Sequence, residues 1–526
     1  MIRDPLWITA TPPTPNGDLH VGHMAGPYIA SDVLRRFLSA DGRETLLTTG
    51  IDEHQNYVVV RAEAAGCSPQ ELGSRYGESI RKTWSRTGVQ FDRIVLPDAD
   101  AGYACYVERF FERLVAAGDI VPRNRPLPYC KECSRWLFDG YLLGICPYCD
   151  TPCNGGACET CGRPNDCGDI LEPHCRRCRL SASVRPCTRY YLPLVPFTDR
   201  LEKFWARVEM PPRLQVLCET ILADGLPEMA VSFPADWGIP VPIDGFRHHV
   251  ISPLCEMAPG YLLERSPDGE LPITGPVQFF GFDNGYFHAL LIPALLMAYD
   301  DTIPMPVAFR VNEMYRLEES KFSTSRQHVV QVDDALGDAG VDALRFHVFS
   351  DRPQGRETSF SLRDLEHSHE WLRSIWNGWL ERLLAIVHAD YGGVIPDVRP
   401  SGAAWSVLGG RLERIALELR EAYEVVDARR VIALLNEVVL CATDFGYVHE
   451  PLSQSPRRRG ERDSAIAAQL AVASALAAWS APIVPTGADR LASLLGVRAG
   501  RPISAAIHPP AAGTRVLAMN APIFGL

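Results

Sequence analysis

Two histidines near the N-terminus have the side-chain type and the spacing needed to bind a phosphate. The segment His20-Val21-Gly22-His23 follows a turn rich in proline and opens a stretch with apolar residues at helical spacing. At the start of a helix, imidazole N–H groups would lie beside unpaired backbone N–H groups and the positive end of the helix dipole. Alternatively, one histidine caps the helix and the other belongs to the core. The four residues alone leave both interpretations open.

Three acidic or glycine positions follow predicted strands. Asp52 comes directly after the apolar run 46–50, where the ligand of a doubly wound sheet usually lies, so it is a candidate for holding a cationic amine. A helix N-cap is the alternative for Asp52. Gly281 and Asp283 follow the apolar run 277–280. The glycine can lie under a flat base, and the aspartate can accept hydrogen bonds from ribose hydroxyls.

A polar segment at 318–326 combines one lysine with several hydroxyls. Lys321 is followed by Ser323, Thr324 and Ser325. A loop of this composition can close on a triphosphate, although by itself it also fits an ordinary solvated loop.

Half of the sixteen cysteines form four Cys-x-x-Cys pairs between residues 122 and 186. Each pair lets two thiolates approach one ion, and eight ligands make two closed tetrahedral sites, so we predict two structural Zn²⁺ ions rather than disulfides. Nesting favours one set of outer pairs and one set of inner pairs, with Cys153, Cys167 and His174 as possible substitutes. The outer set is Cys130, Cys133, Cys175 and Cys178, and the inner set is Cys146, Cys149, Cys158 and Cys161.

The elements that must position these groups are predicted from local patterns. Residues 6–42 read as strand, turn and helix, and Gly42 is the expected glycine at the helix end. From about Asp364 onward, apolar residues at helical spacing predict an α-helical bundle, with a loop at 451–462. The net charge of −12 argues against a chain that coats nucleic acid indiscriminately. Neither a membrane span nor a signal peptide is indicated, so we expect a cytoplasmic protein with no membrane partner.

Three motifs follow one another along the chain: the two histidines, the Gly281-x-Asp283 segment with His288, and Lys321-Phe322-Ser323-Thr324-Ser325. With these motifs in this order, the chain resembles the class I aminoacyl-tRNA synthetases, most closely the methionyl type. Asn16-Gly17 and Trp237-Gly238 add to the resemblance. The resemblance implies an α/β fold: a Rossmann-type parallel-sheet catalytic domain, a zinc-knuckle insertion and a C-terminal α-helical bundle. The implied domains are catalytic halves at 1–120 and 235–325, an insertion at 121–234, a connector at 326–365 and a helical anticodon-binding-like domain at 366–526.

The resemblance also implies a reaction, in which an amino-acid carboxylate attacks the α-phosphorus of ATP and gives an aminoacyl-adenylate and pyrophosphate. His20 and His23 would stabilise the pentavalent phosphorus, and Lys321 with Mg²⁺ would stabilise the leaving pyrophosphate. The implied ATP-binding residues are Asn16, Gly17, Gly22, Gly281, Asp283, Ser323, Thr324 and Ser325. The implied amino-acid-binding residues are Thr11, Pro12, Thr14, Asp52, Leu254, Tyr261, Phe287 and His288.

The amino-acid pocket departs from the methionyl pattern. Pro12 and Thr14 stand where that pattern has a leucine and a tyrosine, and Leu254 stands where it has a large tryptophan. The tryptophan that would stack on an anticodon near residue 451 is absent as well. We therefore predict an AMP-forming ligase that transfers the activated amino acid to a small-molecule hydroxyl or amine, like the hydrazine synthetases or amide ligases. A separate cupin protein is a possible partner.

Two alternatives remain open. One is a genuine methionine–tRNA ligase, and the other is a non-catalytic, tRNA-binding pseudo-synthetase. We expect a monomer or a weak oligomer in every case.

Overall fold

The computed structural model describes residues 5–265, 274–318, 320–321, 329–517 and 519–525. Its centre is a sheet of five parallel strands. In spatial order the strands are Ala308–Asn312, Thr274–Gly281, Leu6–Ala10, Thr45–Gly50 and Arg93–Val95. The first strand in the chain therefore lies between the second and the fourth, and the strand order reverses beside it. This reversal opens a crevice at the carboxyl ends of the strands, where α/β sheets bind ligands.

Helices cover both faces of this sheet, and the predicted strand–turn–helix at the N-terminus is confirmed. After the first strand, the helix continues from Val21 to Ala40, with one wide turn over Met24–Tyr28. Gly42 follows with a φ of +83°, the left-handed conformation that ends a helix and that glycine adopts without strain. The other helices of this region are Asn56–Ala65, Pro69–Arg86, Tyr103–Ala117, Pro253–Arg265, Phe287–Leu291 and Ile292–Tyr299.

The insertion is built on a long antiparallel pair, Val121–Cys130 and Ser183–Pro193. Two short strands, Arg135–Trp136 and Glu228–Ala230, extend the pair to a four-stranded sheet. Small strands carry the cysteine loops: Leu142–Ile145, Pro152–Cys153, Gly156–Ala157, Pro164–Asn165 and Leu171–Cys175. The helices Thr198–Trp205 and Pro212–Asp224 and the strand pair Ser232–Pro234 and His249–Ile251 lead back to the central sheet.

A small three-stranded sheet follows the last parallel strand and consists of Tyr315–Leu317, Ser320–Lys321 and Thr358–Phe360. Between these strands lies the helix Val332–Ser350, which bends at Gly340. The helical bundle begins soon afterwards, as predicted. Its helices are Leu362–Trp371, Leu372–Asn377, Gly378–Tyr391, Gly402–Val425, Ala428–His449, Arg459–Ser480 and Pro485–Leu495.

The loop predicted at 451–462 is wrong in its last four residues, because the helix Arg459–Ser480 begins inside it. Two short 3₁₀ turns, Glu450–Gln454 and Pro456–Arg458, precede that helix. Each turn carries a proline in its first two positions, where the missing N–H costs no hydrogen bond. The prolines therefore shape tight turns rather than an open loop.

One helix of the bundle also has the length and composition of a membrane span. The segment Ala428–Leu452 has a mean hydropathy of 1.6. A core helix in a bundle has the same properties, and Val431, Leu435 and Val438 of this helix are fully buried against its neighbours.

A buried arginine of the helix Val332–Ser350 connects the bundle to a helix of the catalytic domain. Arg345 Nη2 donates to Asp32 Oδ2 at 2.7 Å, and both side chains are fully buried. The same guanidinium donates to the backbone carbonyls of Thr87, Pro482 and Ile483. Because Asp32 belongs to the helix that starts at the two histidines, Arg345 links the bundle to that helix.

Candidate functional site

A cavity of about 670 Å³ opens at the carboxyl ends of the central strands, where the strand order reverses. The structure brings eleven of the predicted site residues to its wall. They are Thr11, Pro12, Thr14, Asn16, Gly22, His23, Asp52, Leu254, Gly281, Asp283 and Phe287. Residues from four separate stretches of the chain therefore meet in one place.

The two histidines lie in contact at the start of the long helix. Their ring centres are 3.8 Å apart, and the backbone N–H of His20 donates to Nδ1 of His23 at 3.2 Å. Because that Nδ1 accepts a hydrogen bond, we assign the proton of a neutral His23 to Nε2. Burial lowers the pKa of His23 to about 4, and burial followed by the charge of His23 lowers the pKa of His20. Both imidazoles are thus neutral at pH 7.

His23 is the one of the two that lines the cavity, whereas His20 is packed beside it. Gly17 does not line the cavity either, although its neighbour Asn16 does. A neutral imidazole with a proton on Nε2 is a hydrogen-bond donor, and its N–H group can approach a phosphate without carrying a charge of its own.

Asp52 presents its carboxyl group to the cavity. Burial and then the charge of Glu256 raise its pKa to about 7, although hydrogen bonds from Gln55 and Thr14 act in the opposite direction. The carboxyl group is therefore only partly ionised at neutral pH. A substrate ammonium beside it would supply the missing positive charge and favour the ionised form.

Close to Asp52, His54 forms a charge cluster with Glu256 and Asp98. His54 Nδ1 lies 2.7 Å from Glu256 Oε1, and its Nε2 lies 3.1 Å from Asp98 Oδ1. Burial lowers the pKa of His54, but the two carboxylates outweigh burial and raise it to about 10. His54 is therefore a fixed cation. The sequence analysis did not assign a role to Glu256, which comes from a distant helix and carries no motif.

Gly281 and Asp283 also line this cavity. A Cβ on Gly281 would lie 2.5 Å from Asp283 Oδ1, so only glycine leaves the aspartate in place. Burial raises the pKa of Asp283, and hydrogen bonds from the backbone N–H groups of Asp283 and Asn284 counteract that effect. The arrangement offers carboxylate oxygens beside a bare stretch of backbone, which suits a ribose and the edge of a flat base.

Two residues predicted to contact the amino acid lie behind the wall of this cavity. His288 is buried, stacks on Phe280 at 4.0 Å, and has its Nδ1 3.2 Å from Gln278 Oε1. Burial lowers the pKa of His288 to about 3, so it is a neutral core histidine. Tyr261 lines a smaller cavity of about 30 Å³ that shares Asp52 with the large one.

Part of the predicted triphosphate loop lies outside the described residues. The backbone of Lys321 pairs with Arg316 in the small three-stranded sheet. Its side chain and Ser323, Thr324 and Ser325 are not among the described parts of the chain. Their roles therefore stay predictions.

The eight cysteines converge in the two predicted sets, with all ligand atoms of a set within 4.8 Å of one another. In the outer set, Sγ···Sγ distances are 3.5 Å for Cys130 and Cys178 and 3.8 Å for Cys133 and Cys175. In the inner set, Cys146 and Cys161 are 3.9 Å apart, and Cys149 and Cys158 are 3.6 Å apart. A Zn–S bond of about 2.3 Å gives tetrahedral S···S edges of about 3.8 Å, so both sets fit a Zn²⁺ ion.

The zinc-knuckle region supplies cavity residues that the sequence analysis missed. Residues 152–157, Asp139 and Arg176 all line the large cavity. Asp139 has a φ of +41°, and the buried Asn56 side chain holds the backbone on both sides of it through Phe138 O and Gly140 N. Burial raises the pKa of Asp139 to about 7. No sequence pattern marks these positions, because they reach the cavity only through the tertiary fold.

Comparison with known proteins agrees with this geometry. The family described as "tRNA synthetases class I (M)" matches residues 6–262 and 270–379. A methionine–tRNA ligase of Thermomicrobium roseum is 31% identical over 509 residues, which is 92% of this chain and 86% of the relative. One from Pyrococcus furiosus is 28% identical over 525 residues, with 93% and 71% covered. The solved structure of Mycobacterium tuberculosis methionyl-tRNA synthetase with methionyl-adenylate has the same fold. Its TM-score is 0.83 at 21% identity, with 99% of this chain and 100% of that chain covered.

Proposed function

The chain belongs to the class I tRNA synthetases of the methionyl type and is an AMP-forming ligase, and from that premise we propose that it charges tRNA with methionine or an amino acid of similar length. One observation carries the proposal. The cavity brings a neutral imidazole donor, His23, together with Asp283 on the nucleotide side and Asp52 on the amine side. These are the groups that an ATP-dependent activation of an amino acid needs in one place.

In the first step, the amino-acid carboxylate attacks the α-phosphorus of ATP, the bond to pyrophosphate breaks, and an aminoacyl-adenylate forms. Asp52 holds the α-ammonium, and Asp283 holds the ribose. His23 donates from Nε2 to the oxygens of the pentavalent phosphorus. Because this donor is preset and neutral, it adds stabilisation as negative charge develops and needs no proton transfer. Mg²⁺ and Lys321 are proposed to neutralise the leaving pyrophosphate.

The acceptor is proposed to be tRNA because a basic groove adjoins the cavity. A second cavity of about 520 Å³ shares Asn16, Tyr57 and Arg176 with the first. Its lining carries five arginines and one acid, Glu63. The arginines are Arg61, Arg135, Arg176, Arg177 and Arg179. Such a groove attracts the phosphates of a polynucleotide end more than it would a neutral small molecule.

A small-molecule acceptor is the second candidate, and the composition of the pocket is the observation that favours it. Thr14 and Leu254 line the cavity where the resemblance would place a tyrosine and a tryptophan. A pocket with fewer rings holds a thioether less closely, so a changed amino acid and a changed acceptor remain compatible with it. A separate cupin partner is no longer part of the proposal, because the relatives are named as tRNA ligases.

ATP–pyrophosphate exchange across a panel of amino acids, followed by charging of methionine tRNA, tests the proposal. We expect exchange with at least one amino acid and charging of tRNA with that amino acid. Exchange without charging would replace the first candidate by the second, and no exchange with any amino acid would refute both. A variant with Arg61→Gln and Arg177→Gln should lose charging but keep exchange. Arg207→Gln, an exposed arginine of the insertion outside the groove, is the matched control.

A further inference from the structure

A small recess lies behind Asp52, next to the large cavity. Its volume is about 30 Å³, and it shares Pro12, Asp52 and Met257 with the large cavity. Two further acids, Glu256 and Glu264, line it. The recess therefore extends the amino-acid side of the site, and three carboxyl groups face a space that holds one water molecule or one ammonium group.

Two buried polar atoms of this recess have no close hydrogen-bond partner among the described residues. They are Glu256 Oε2 and the Tyr261 hydroxyl oxygen, and the two residues are 4% and 3% exposed. The side chains of Tyr103 and Thr11 interact with Glu256 and Tyr261 from a longer distance. A buried polar group without a partner costs free energy, so groups of this kind usually meet a ligand or an ordered water.

Glu264 completes the recess from the floor of the sheet. Its Oε2 accepts from the hydroxyls of Thr9 and Thr48, both at 2.7 Å, which leaves Oε1 for a donor in the recess. Thr9 and Thr48 belong to the two central strands and are buried, so they fix the orientation of the carboxyl group. The two hydrogen bonds therefore hold the Glu264 carboxyl group in one orientation.

The carboxyl groups of the recess outnumber the cationic side chains that act on them. His54 is shared between Glu256 and Asp98, and Arg93 acts on Glu264 only through its charge. Burial raises the pKa of both Asp52 and Glu264 to about 7. An added positive group would therefore be favoured in the recess, since it would stabilise the ionised carboxylates.

We propose that this recess binds an amine at the end of the substrate's side chain, so that the chain activates an amino acid with an amine-terminated side chain in preference to its apolar isostere. The inference rests on the proposed function, because it names the amino acid that the same site activates. The α-ammonium would bind at Asp52, and the second amine would donate to Glu264 Oε1 and Glu256 Oε2.

The test is ATP–pyrophosphate exchange with pairs of amino acids that differ only at the end of the side chain. Ornithine is compared with norleucine and lysine with 2-aminoheptanoate, with methionine as a reference. We expect a kcat/KM higher by roughly ten- to a hundredfold for the amine of at least one pair, the range of one charged hydrogen bond. Glu264→Gln should remove that preference, because the amide keeps an acceptor for the threonines but removes the negative charge.

The ratio within a pair is measured on one protein sample, so partial unfolding of the variant lowers both rates and leaves the ratio interpretable. Glu53→Gln is the matched control, because Glu53 is a buried acid that does not line the recess. Equal rates for both members of each pair, or a preference for the apolar member, would mean that the recess holds only water and would overturn the inference. No exchange with any amino acid would instead overturn the proposed function itself.

Discussion

The ionisation of Asp52 predicts how binding of the amino acid depends on pH. Burial and the charge of Glu256 raise its pKa to about 7. Only the ionised carboxylate attracts an ammonium, so binding of the amino acid should be present above this pKa and lost as the pH falls through it. With a pKa of about 7, the ionised fraction rises from about 0.1 at pH 6 to about 0.9 at pH 8. The kcat/KM for the amino acid should therefore rise about tenfold over that range.

The assay is ATP–pyrophosphate exchange at saturating ATP, with the amino acid varied at each pH. The kcat/KM reports on the free enzyme, whereas kcat reports on the complex, in which the bound ammonium has lowered the pKa of Asp52. The inflection should therefore appear in kcat/KM near pH 7 and move to lower pH in kcat. Burial raises the pKa of Asp139 and Glu264 to about 7 as well, so the assignment needs a variant.

Asp52→Asn should flatten the kcat/KM profile and lower its high-pH value by roughly ten- to a hundredfold, because one charged hydrogen bond is lost. Asp18→Asn is the control, since Asp18 is an exposed acid near the same turn and should leave the profile unchanged. The reasoning is refuted if the wild-type profile is flat between pH 6 and 8, or if Asp52→Asn keeps the inflection.

Three further predictions address other parts of the structure. His23→Gln should lower kcat for exchange by about a hundredfold without moving the pH profile between pH 6 and 8, because burial lowers the pKa of His23 to about 4 and keeps it neutral there; a shifted profile would contradict this. Mass spectrometry of the metal content should find two zinc ions per chain and one in Cys158→Ser, and an unchanged content in the variant would argue against the inner site. Arg345→Met should lower the free energy of unfolding in urea by about 3–5 kcal/mol, since it removes one of the two arginines paired with the buried Asp32 and leaves three backbone carbonyls without that donor. Adding Asp32→Asn to Arg345→Met should restore part of that loss, and no recovery would count against the ion pair.

The elements that the sequence predicts well are those specified locally. The strand, turn and helix at the N-terminus follow from an apolar run, a proline-rich turn and Gly42, all within one short stretch. Spacing alone leaves the pairing of the four Cys-x-x-Cys turns open, and nesting favours the two sets that the structure brings together. In both cases the deciding residues are close together in the chain.

What the sequence could not provide depends on contacts between distant segments. Glu264 meets Thr9 and Thr48 across more than two hundred residues, and no spacing rule indicates that meeting. His288 follows the Gly281 segment and was expected in the amino-acid site, but it turns into the core beside Phe280. Which way a helical side chain faces depends on the helix rotation, and the wide turn over Phe287–Leu291 changes that rotation. Local patterns do not encode this choice.

The knuckle that carries the inner cysteine set forms one side of the reaction chamber, through residues 152–157. The strands of that side have only two residues each, so a bound ion would supply much of its rigidity. A cell short of zinc would then contain folded central sheets with a gap in the chamber wall. Water would enter through that gap and hydrolyse the activated amino acid, and ATP would be consumed without product.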